Sequence, residues 1–367
     1  MAVFREGQLS EIRLQGFKSI KNCKLSLKNI NVLIGSNGAG KSNFISAFSL
    51  LQNVLGGNLQ VYAAQSGINS LFFNGRKVTD EIQFEVFFEN NSYGFNLVPT
   101  NDNRIIFGLE YFGYHGRNNT QSKLGSGHSE SMWQKGTNND ISKYVTPILE
   151  KQNWRVYHFH DTSRNARVKS EHNISNNKVL QFDASNLAAF LFRLKNNYQE
   201  NYNEIVRTIC LIAPYFEDFN LEPLENNPEQ IILQWKQKGC DDIFNASQFS
   251  DGTLRFICLA TLLLQPRELQ PATIIIDEPE LGLHPYAITI FAEMAKQISD
   301  EKQIIISTQS VELLNEFDVD DVIVVDRDSD GSVFKRLDAS ELKEWLENDY
   351  TLGDLWIKNV LGGRLSK

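Results

Sequence analysis

A glycine-rich octapeptide constrains the fold of this chain more than any other feature of its sequence. Residues 35–42 read Gly-Ser-Asn-Gly-Ala-Gly-Lys-Ser and match the pattern G-x-x-x-x-G-K-[ST]. They come after a strand-like apolar stretch, residues 25–33, and open a helical pattern that runs to about residue 55. Glycines let successive backbone N–H groups turn toward an anion, and the helix N-terminus adds a favourable partial charge. The sequence therefore predicts a strand–loop–helix unit that binds phosphate; the alternative is a glycine-rich turn without a ligand.

Two side chains of this loop have specific chemistry. Lys41 is expected to reach the β- and γ-phosphates of a nucleotide, and the Ser42 hydroxyl is expected to coordinate Mg²⁺. The predicted nucleotide contacts from the loop and the turn after it are Gly35, Ser36, Asn37, Gly38, Ala39, Gly40, Lys41, Ser42 and Asn43.

A second pattern, far along the chain, complements the loop. The apolar run 274–276 ends in Asp277 and Glu278. P-loop NTPases hold Mg²⁺ with a carboxylate at the end of a strand beside the phosphate loop, so Asp277 is the predicted metal ligand together with Ser42. Glu278 can orient and deprotonate a water molecule and is the predicted general base. The alternative for both carboxylates is a solvated turn.

Charge and apolar pattern exclude several classes of protein. The chain has 36 Lys and Arg against 45 Asp and Glu, a net charge of −9, which argues against a wholly basic nucleic-acid coat. The longest apolar run, residues 256–264, is far below the roughly 20 residues that span a bilayer, and no signal-peptide pattern is present. The four cysteines are scattered without a CxxC pair. We expect a cytoplasmic protein with reduced thiols and no membrane partner.

The order of patterns predicts an α/β protein. Residues 67–98 alternate in the manner of antiparallel strands, and residues 113–140, rich in Gly, Ser, Asn and Thr, predict a long mobile loop. The last third alternates strands and helices, which is typical of a parallel sheet. The other predicted elements are two strands within 9–33, helices at 142–152, 185–213, 252–264 and 286–299, a strand pair at 228–244, strands at 273–276, 303–307 and 322–325, and a turn at 328–331.

Several motifs together resemble the soluble ABC-type ATPases of the RecF/SMC/OLD branch. Residues 277–285 (Asp-Glu-Pro-Glu-Leu-Gly-Leu-His-Pro) resemble the Walker B motif and D-loop of these proteins. Residues 12–20 (Ile-Arg-Leu-Gln-Gly-Phe-Lys-Ser-Ile) are similar to their first strand and turn. Residues 249–255 (Phe-Ser-Asp-Gly-Thr-Leu-Arg) resemble their version of the signature motif. Residues 157–163 and 353–364 are similar to small bacterial ATPases of this branch.

The resemblance implies an α/β fold, namely an ABC-type P-loop ATPase head with a mixed sheet core, an antiparallel β subdomain and an inserted helical lobe. It also implies three parts of the chain. These are an N-terminal ATPase lobe with the P-loop and antiparallel strands (residues 1–100), an inserted loop and helical region (101–245), and a C-terminal ATPase lobe with signature, Walker B and D-loop (246–367).

The resemblance further implies a mechanism. A homodimer or higher oligomer would sandwich ATP and Mg²⁺, each γ-phosphate meeting the P-loop of one subunit and Ser250 and Gly252 of the other. Lys41, Glu278 and Gln309 would be catalytic. Gln309 stands where the branch usually has a switch histidine. Because a glutamine cannot carry a proton, slow hydrolysis or a switch that mainly senses bound ATP is favoured.

The implied output is ATP-dependent conformational switching of a partner. The partner is expected to be an effector, nuclease-like and encoded elsewhere, in anti-phage defence, with a DNA-bound complex in repair as the other client. Two alternatives remain: an ATP-gated scaffold with little hydrolysis, and the nucleotide-binding subunit of a transporter. The Ser-Asp-Gly-Thr signature and the long insertion before it argue against the transporter.

Further clusters have competing interpretations. His158, His160 and Asp161 have the spacing of strand metal ligands, but no distant His or Cys cluster completes a site, so a structural or nucleotide-neighbouring role is favoured. The Asp-Arg-Asp of residues 326–328 has the DxD pattern of Toprim nucleases, yet only about forty residues remain after it and we expect a hairpin turn. Gln65 is the candidate lid glutamine.

A basic window lies at residues 151–178. Nucleic-acid contact, a solvated face and protein contact are all open interpretations of it. Its cations are Lys151, Arg155, Arg164, Arg167, Lys169 and Lys178, against Asp161 and Glu171.

Overall fold

The structure, a computed structural model, describes residues 5–117, 119–136, 140–151 and 153–363. The chain divides into two units. The first comprises Met1–Val156, Pro271–Ile275 and Ser299–Lys367, and the second comprises Tyr157–Gln270 and Ile276–Ile298. Both units are therefore discontinuous in sequence, and they cut across the three linear parts that the family resemblance implies.

The elements succeed one another in a mixed order of strands and helices. The strands are β1 (Glu11–Phe17), β2 (Ile20–Ser26), β3 (Ile30–Ile34), β4 (Ile82–Phe88), β5 (Asn91–Pro99), β6 (Ile105–Tyr114), β7 (Thr120–Gly125), β8 (Trp154–Tyr157), β9 (His172–Asn173), β10 (Phe216–Asn220), β11 (Gln230–Ile231), β12 (Gln234–Gln237), β13 (Ile243–Asn245), β14 (Thr273–Asp277), β15 (Gln303–Thr308), β16 (Val322–Asp328) and β17 (Gly331–Arg336). The α-helices are α1 (Lys41–Leu55), α2 (Leu59–Ser66), α3 (Ile68–Leu71), α4 (Ser142–Glu150), α5 (Leu187–Asn197), α6 (Gln199–Ile212), α7 (Asp251–Leu264), α8 (Pro285–Ser299), α9 (Val311–Asn315), α10 (Lys343–Glu347) and α11 (Leu352–Ile357).

The first unit contains a six-stranded antiparallel sheet in the order β2-β1-β4-β5-β6-β7. The predicted alternation in 82–86 is confirmed, because Ile82, Phe84 and Val86 are buried. Part of the expectation for 67–98 is wrong: residues 68–71 form α3, and turns occupy residues 73–74 and 76–78 before β4. Apolar residues of this sheet, of α1 and of the parallel strands belong to one hydrophobic core.

A second sheet in the order β17-β16-β3-β15-β14-β8 carries the phosphate loop. Strands β16, β3 and β15 are parallel neighbours, and β17 runs antiparallel to β16. All five residues of β3 are buried, as expected for a strand covered on both faces. The mixed sheet and the hairpin turn at residues 328–331 are thus confirmed.

The apolar stretch 25–33 is not one strand. It is divided between the end of β2 and the start of β3. The buried Asn31 explains the break: its Oδ1 accepts from the Lys28 N–H at 2.9 Å, and its Nδ2 donates to the Lys28 carbonyl at 2.7 Å. An asparagine that bonds its local backbone in this way closes a turn.

The expectation of a long mobile loop at 113–140 is also wrong for the described part of that segment. Strand β6 extends to Tyr114, and β7 occupies 120–125; residues 118 and 137–139 lie outside the described residues. Polar contacts hold the residues after β7 in place. The Glu130 carboxylate accepts from the N–H groups of Leu59 and Gln60 at the start of α2, at 2.8 and 3.0 Å. Composition missed these contacts because they join polar residues to distant backbone.

Glu110 is the fully buried centre of this arrangement. Its carboxylate accepts from the Tyr93 hydroxyl at 2.6 Å and the Met132 N–H at 2.8 Å, and it lies 2.9 Å from His128 Nε2. The Ser131 hydroxyl is a further donor. A buried carboxylate with several donors is costly to remove, because each donor then loses its acceptor inside the protein.

The second unit is mainly helical. The predicted helix at 185–213 is two helices, α5 and α6, which meet at Tyr198. Residues 254–264 of α7 are all buried. A small sheet in the order β10-β12-β13 has Trp235 at its centre, stacked on Phe244 and Phe249 with ring centroids 4.9 and 4.5 Å away. None of the described helices has both the length and the apolar character that crossing a bilayer requires.

We predict that Glu110→Ala lowers the free energy of unfolding by about 3 kcal/mol or more, because Tyr93, His128 and the Met132 N–H lose a buried acceptor. Glu150→Ala, at an exposed position of α4, is the control and should change it by less than about 0.5 kcal/mol. Urea unfolding of both variants measures the difference. Equal stabilities would contradict a structural role for Glu110.

Candidate nucleotide site

The phosphate loop joins β3 to α1 and owes its shape to glycines. Gly38 and Gly40 have φ of +82° and +122°, values that side chains rarely adopt. A Cβ at Gly38 would meet no atom of the described residues within 4 Å, whereas one at Gly40 would lie 2.1 Å from Ser332 Oγ. Among the described residues, glycine is therefore needed at position 38 only for its backbone conformation. At position 40 it is needed also because the β16–β17 hairpin lies close to it.

Lys41 places a buried ammonium group inside the loop. It is 4% exposed, and Nζ donates to the carbonyl oxygens of Gly35 at 2.6 Å and Ser36 at 3.3 Å. The first turn of α1 contains no acidic residue, and no side chain of the described residues caps it. A buried cation beside an uncapped helix start fits a phosphate group.

The other predicted loop residues differ in what they contact. Ser42, Asn37 and Gly38 are exposed. Asn43 Nδ2 donates to Ser19 Oγ at 2.6 Å, so this amide holds the β1–β2 turn. The Asn43 side chain therefore binds another part of the protein, a contact that the motif alone does not indicate.

Gln309 lies at the same edge of the parallel sheet as the phosphate loop. It comes directly after β15, whose last residue Thr308 is in register with Ile34, the last residue of β3. Its side chain is exposed. Adjacent parallel strands thus bring the switch position and the loop together in the first unit. Gln65, the candidate lid glutamine, is exposed on α2.

The predicted acidic pair lies in the second unit, where Asp277 ends β14. Asp277 is 9% exposed, and its Oδ1 is buried without a hydrogen-bond partner among the described residues. Such an unsatisfied carboxylate oxygen fits a cation ligand. Glu278 adopts φ of +44°, a strained conformation for a residue with a side chain. No group of three or more His, Cys, Asp or Glu suited to a metal ion occurs in the described parts of the chain.

His158 and His160, for which the sequence favours a structural or nucleotide-neighbouring role, lie against Asp277. His158 Nδ1 is 3.7 Å from Asp277 Oδ2, and His160 Nε2 is 2.8 Å from the Asp277 carbonyl oxygen. Because a carbonyl only accepts, His160 Nε2 carries the proton of this bond. Burial lowers the pKa of His158 and neighbouring His160 lowers it further, while Asp277 opposes the shift. The two histidines therefore lie at the acidic strand end.

The signature segment caps the helix that comes after it. Ser250 is the N-cap of α7, and its Oγ accepts from the Thr253 N–H at 3.1 Å. A Cβ at Gly252 would lie 2.3 Å from the Gly282 carbonyl oxygen, so the first turn of α7 packs directly on the turn after β14. Glycine is thus required at 252 by packing within the unit.

Arg255 connects this helix to the two histidines, a function that sequence reasoning missed. It is 7% exposed, and it donates from Nε to the Phe159 carbonyl at 2.9 Å and from Nη2 to the His160 carbonyl at 3.0 Å. Burial lowers the pKa of its guanidinium. One side chain therefore links the signature helix to the segment that contacts Asp277.

The basic window 151–178 is partly neutralised. Lys151 Nζ is 2.8 Å from Glu6 Oε1, and Arg167 Nη1 is 3.2 Å from Asp183 Oδ2. Lys169 Nζ donates to the Thr162 carbonyl at 2.6 Å, and Arg164 is exposed. The window also spans both units, since residues 151 and 155 belong to the first and the others to the second.

Comparison with known proteins identifies relatives. The family described as "AAA domain, putative AbiEii toxin, Type IV TA system" matches residues 30–315. The Old nuclease of Escherichia phage P2 is 24% identical over 382 residues, covering 92% of this chain and 62% of the relative. The chain therefore spans less than two thirds of the length of that curated relative.

Solved structures share the fold. An Smc head bound to the C-terminal winged-helix domain of ScpA matches with a TM-score of 0.59 and 19% identity, covering 91% of this chain and 99% of that one. The Pyrococcus furiosus Smc head with an extended coiled coil, bound to the C-terminal domain of ScpA, matches with a TM-score of 0.58 and 17% identity. It covers 93% of this chain and 99% of that one.

We predict that Arg255→Ala lowers the free energy of unfolding by about 3 kcal/mol, because the carbonyls of the buried Phe159 and of His160 lose a charged donor. Arg207→Ala, at an exposed position of α6, should change it by less than about 0.5 kcal/mol. Denaturant unfolding followed by tryptophan fluorescence compares the two. If Arg255→Ala is as stable as Arg207→Ala, the hydrogen bonds from Arg255 to the Phe159 and His160 carbonyls do not contribute to the free energy of unfolding.

Proposed function

We propose Mg·ATP binding and hydrolysis for this chain, which belongs to the family described as "AAA domain, putative AbiEii toxin, Type IV TA system" and is an ABC-type ATPase of the RecF/SMC/OLD branch. The observation that carries the proposal is the buried Lys41 ammonium within a glycine-shaped loop at the start of an uncapped helix. A buried cation at such a place is stabilised when a phosphate group supplies the opposite charge.

The catalytic work divides among few residues. Lys41 and the loop N–H groups would bind and orient the phosphates, and Glu278 would hold and deprotonate the attacking water. Mg²⁺, held by Ser42 and Asp277, would neutralise the charge on the phosphates; the unsatisfied Asp277 Oδ1 supports this assignment. The residues act mainly by positioning and electrostatics.

A second copy of the chain would complete the site. Ser250 offers a hydroxyl and Gly252 a backbone N–H at the start of α7, an arrangement suited to an anion from a partner subunit. We infer a closed homodimer or higher oligomer whose closure depends on bound ATP. The Smc heads that share the fold were solved with ScpA, which supports partner binding by folds of this kind.

The output of the cycle would be control of an effector in anti-phage defence. The phage relative is named a nuclease, and the family description names a toxin. These two names support an effector that is nuclease-like. DNA, in defence or repair, is the other client. An ATP-gated scaffold is the second candidate, because Gln309 at the switch position cannot carry a proton.

We predict that Lys41→Ala loses ATP binding, because the loop loses its buried cation, and that Glu278→Gln still binds ATP but hydrolyses it at least about 100-fold more slowly, because the general base is lost. Equilibrium binding of a fluorescent ATP analogue and phosphate release measure the two effects. Glu293→Gln, exposed on α8, is the matched control and should behave as the wild type.

The outcomes separate the two candidates. Equal background phosphate release by the wild type and Glu278→Gln would exclude the hydrolase, whereas ATP-induced dimerisation in the same samples would support the scaffold. ATP binding by Lys41→Ala at wild-type strength would exclude both.

If DNA is a client, the triple variant R164E/R167E/K169E should bind it more weakly and with a smaller salt dependence. Each lost phosphate contact should reduce the slope of log affinity against log salt by about 0.9. Titrations at several salt concentrations measure the slope. Lys343→Glu, exposed on α10, is the control for a single charge reversal outside the window and should leave the slope unchanged. An unchanged slope in the triple variant would exclude the window as the contact surface.

A further inference from the structure

Two sequence motifs without a place in the proposed ATP chemistry meet beside the phosphate loop. Asp326, from the Asp-Arg-Asp sequence, lies in the exposed end of β16, and Gly363 lies in the segment 353–364, whose last residue is outside the described residues. Asp326 Oδ2 accepts from the Gly363 N–H at 3.2 Å, and the Gly363 carbonyl accepts from the Ser36 N–H at 2.9 Å. The acidic hairpin is thus connected to the loop through one glycine.

The bond to Ser36 falls on a particular peptide group. The N–H of Ser36 and the carbonyl of Gly35 belong to the same peptide plane, and Lys41 Nζ donates to that carbonyl at 2.6 Å. Gly363 and Lys41 therefore hold opposite ends of one peptide. Hydrogen bonds in such a chain polarise one another, so each strengthens the other.

Packing requires a glycine at position 363. Its φ is +77°, and a Cβ there would lie 2.8 Å from Val324 Cγ1 and 3.0 Å from a ring carbon of Trp356. Gly362 has nearly the same φ, +78°, but the nearest atom to its Cβ would be Asp326 Oδ2 at 4.0 Å. The two glycines therefore have the same backbone conformation, but only position 363 lacks room for a Cβ atom.

The segment that carries Gly363 is anchored. Leu355 and Trp356 of α11 are 0% and 7% exposed. The Gly353 N–H donates to Asn315 Oδ1 at 2.6 Å, which fastens α11 to α9, the helix that begins two residues after Gln309. Gly363 therefore reaches the loop from a fixed support.

We propose that Asp326 and Gly363, here called the phosphate-loop clasp, are positioning residues for ATP binding. The inference rests on the proposed nucleotide site. Lys41 must turn from the Gly35 carbonyl to reach a phosphate, and the clasp keeps the Gly35–Ser36 peptide oriented when it does. The clasp acts on the N–H side of that peptide, so it does not compete with phosphate for Lys41. Its loss raises the KM for ATP and leaves kcat nearly unchanged.

The two glycines provide a matched pair for the test. Gly363→Ala should weaken binding of a fluorescent ATP analogue about tenfold, the factor that corresponds to about 1.4 kcal/mol, or one hydrogen bond. Gly362→Ala carries the same backbone strain and should stay within about threefold of the wild type. The thermal midpoint without nucleotide is measured for both. Equal affinities in the two variants overturn the clasp.

Asp326 supplies an independent test by rescue. Asp326→Ala removes the acceptor for the Gly363 N–H and should raise KM about fivefold to tenfold with kcat within twofold. Asp326→Asn keeps an acceptor oxygen and should restore most of the affinity. A fall in kcat equal to the rise in KM, or no rescue by Asn, overturns a positioning role. If the wild type binds ATP no better than Lys41→Ala, the proposed function has failed; if only Lys41→Ala loses binding, the function stands and the clasp fails.

Discussion

The burial of β3 on both faces is the constraint on which the first unit depends. All five of its residues are buried, and β15 and β16 pair with it on either side. A strand paired on both sides cannot shift its register without breaking its hydrogen bonds to both neighbours. The phosphate loop after β3 is therefore held at a defined point of the sheet edge, and the last residues of β15 are held beside it.

Much of this unit can be predicted from local patterns. A buried apolar strand, a glycine-rich loop and a helical repeat are each encoded within about ten residues, and their order indicates the strand–loop–helix arrangement. The alternation in 82–86 and the continuous apolar runs of β14 and β15 likewise report their own burial. Periodicity describes how a segment faces a core, so it succeeds where the core alone decides the structure.

The sequence gives no signal where polar groups meet across long separations. Glu110 lies in β6, where no strand is predicted from the sequence, and its partners His128 and Ser131 lie in a stretch with the composition of a polar loop. Arg255 binds backbone carbonyls about ninety-five residues away, and carbonyls have no sequence signature. The need for glycine at position 363 also has no sequence signal, because it depends on Val324 and Trp356 lying close to it in the fold. These contacts arise only after folding has brought the partners together.

The Trp133 indole has a mechanical consequence. Its Nε1 donates to the carbonyl of Leu55, the last residue of α1, at 2.9 Å. Helix α1 has 15 residues and is thus a rod of about 22 Å. One end of the rod begins at Lys41 and the other is pinned by a tryptophan from the segment after β7. A movement of α1 along its axis at the phosphate end would therefore either break the hydrogen bond from Trp133 to Leu55 or displace the segment after β7. Strand β7 is the edge strand of the antiparallel sheet, so an axial movement of the phosphate loop would be transmitted to that edge.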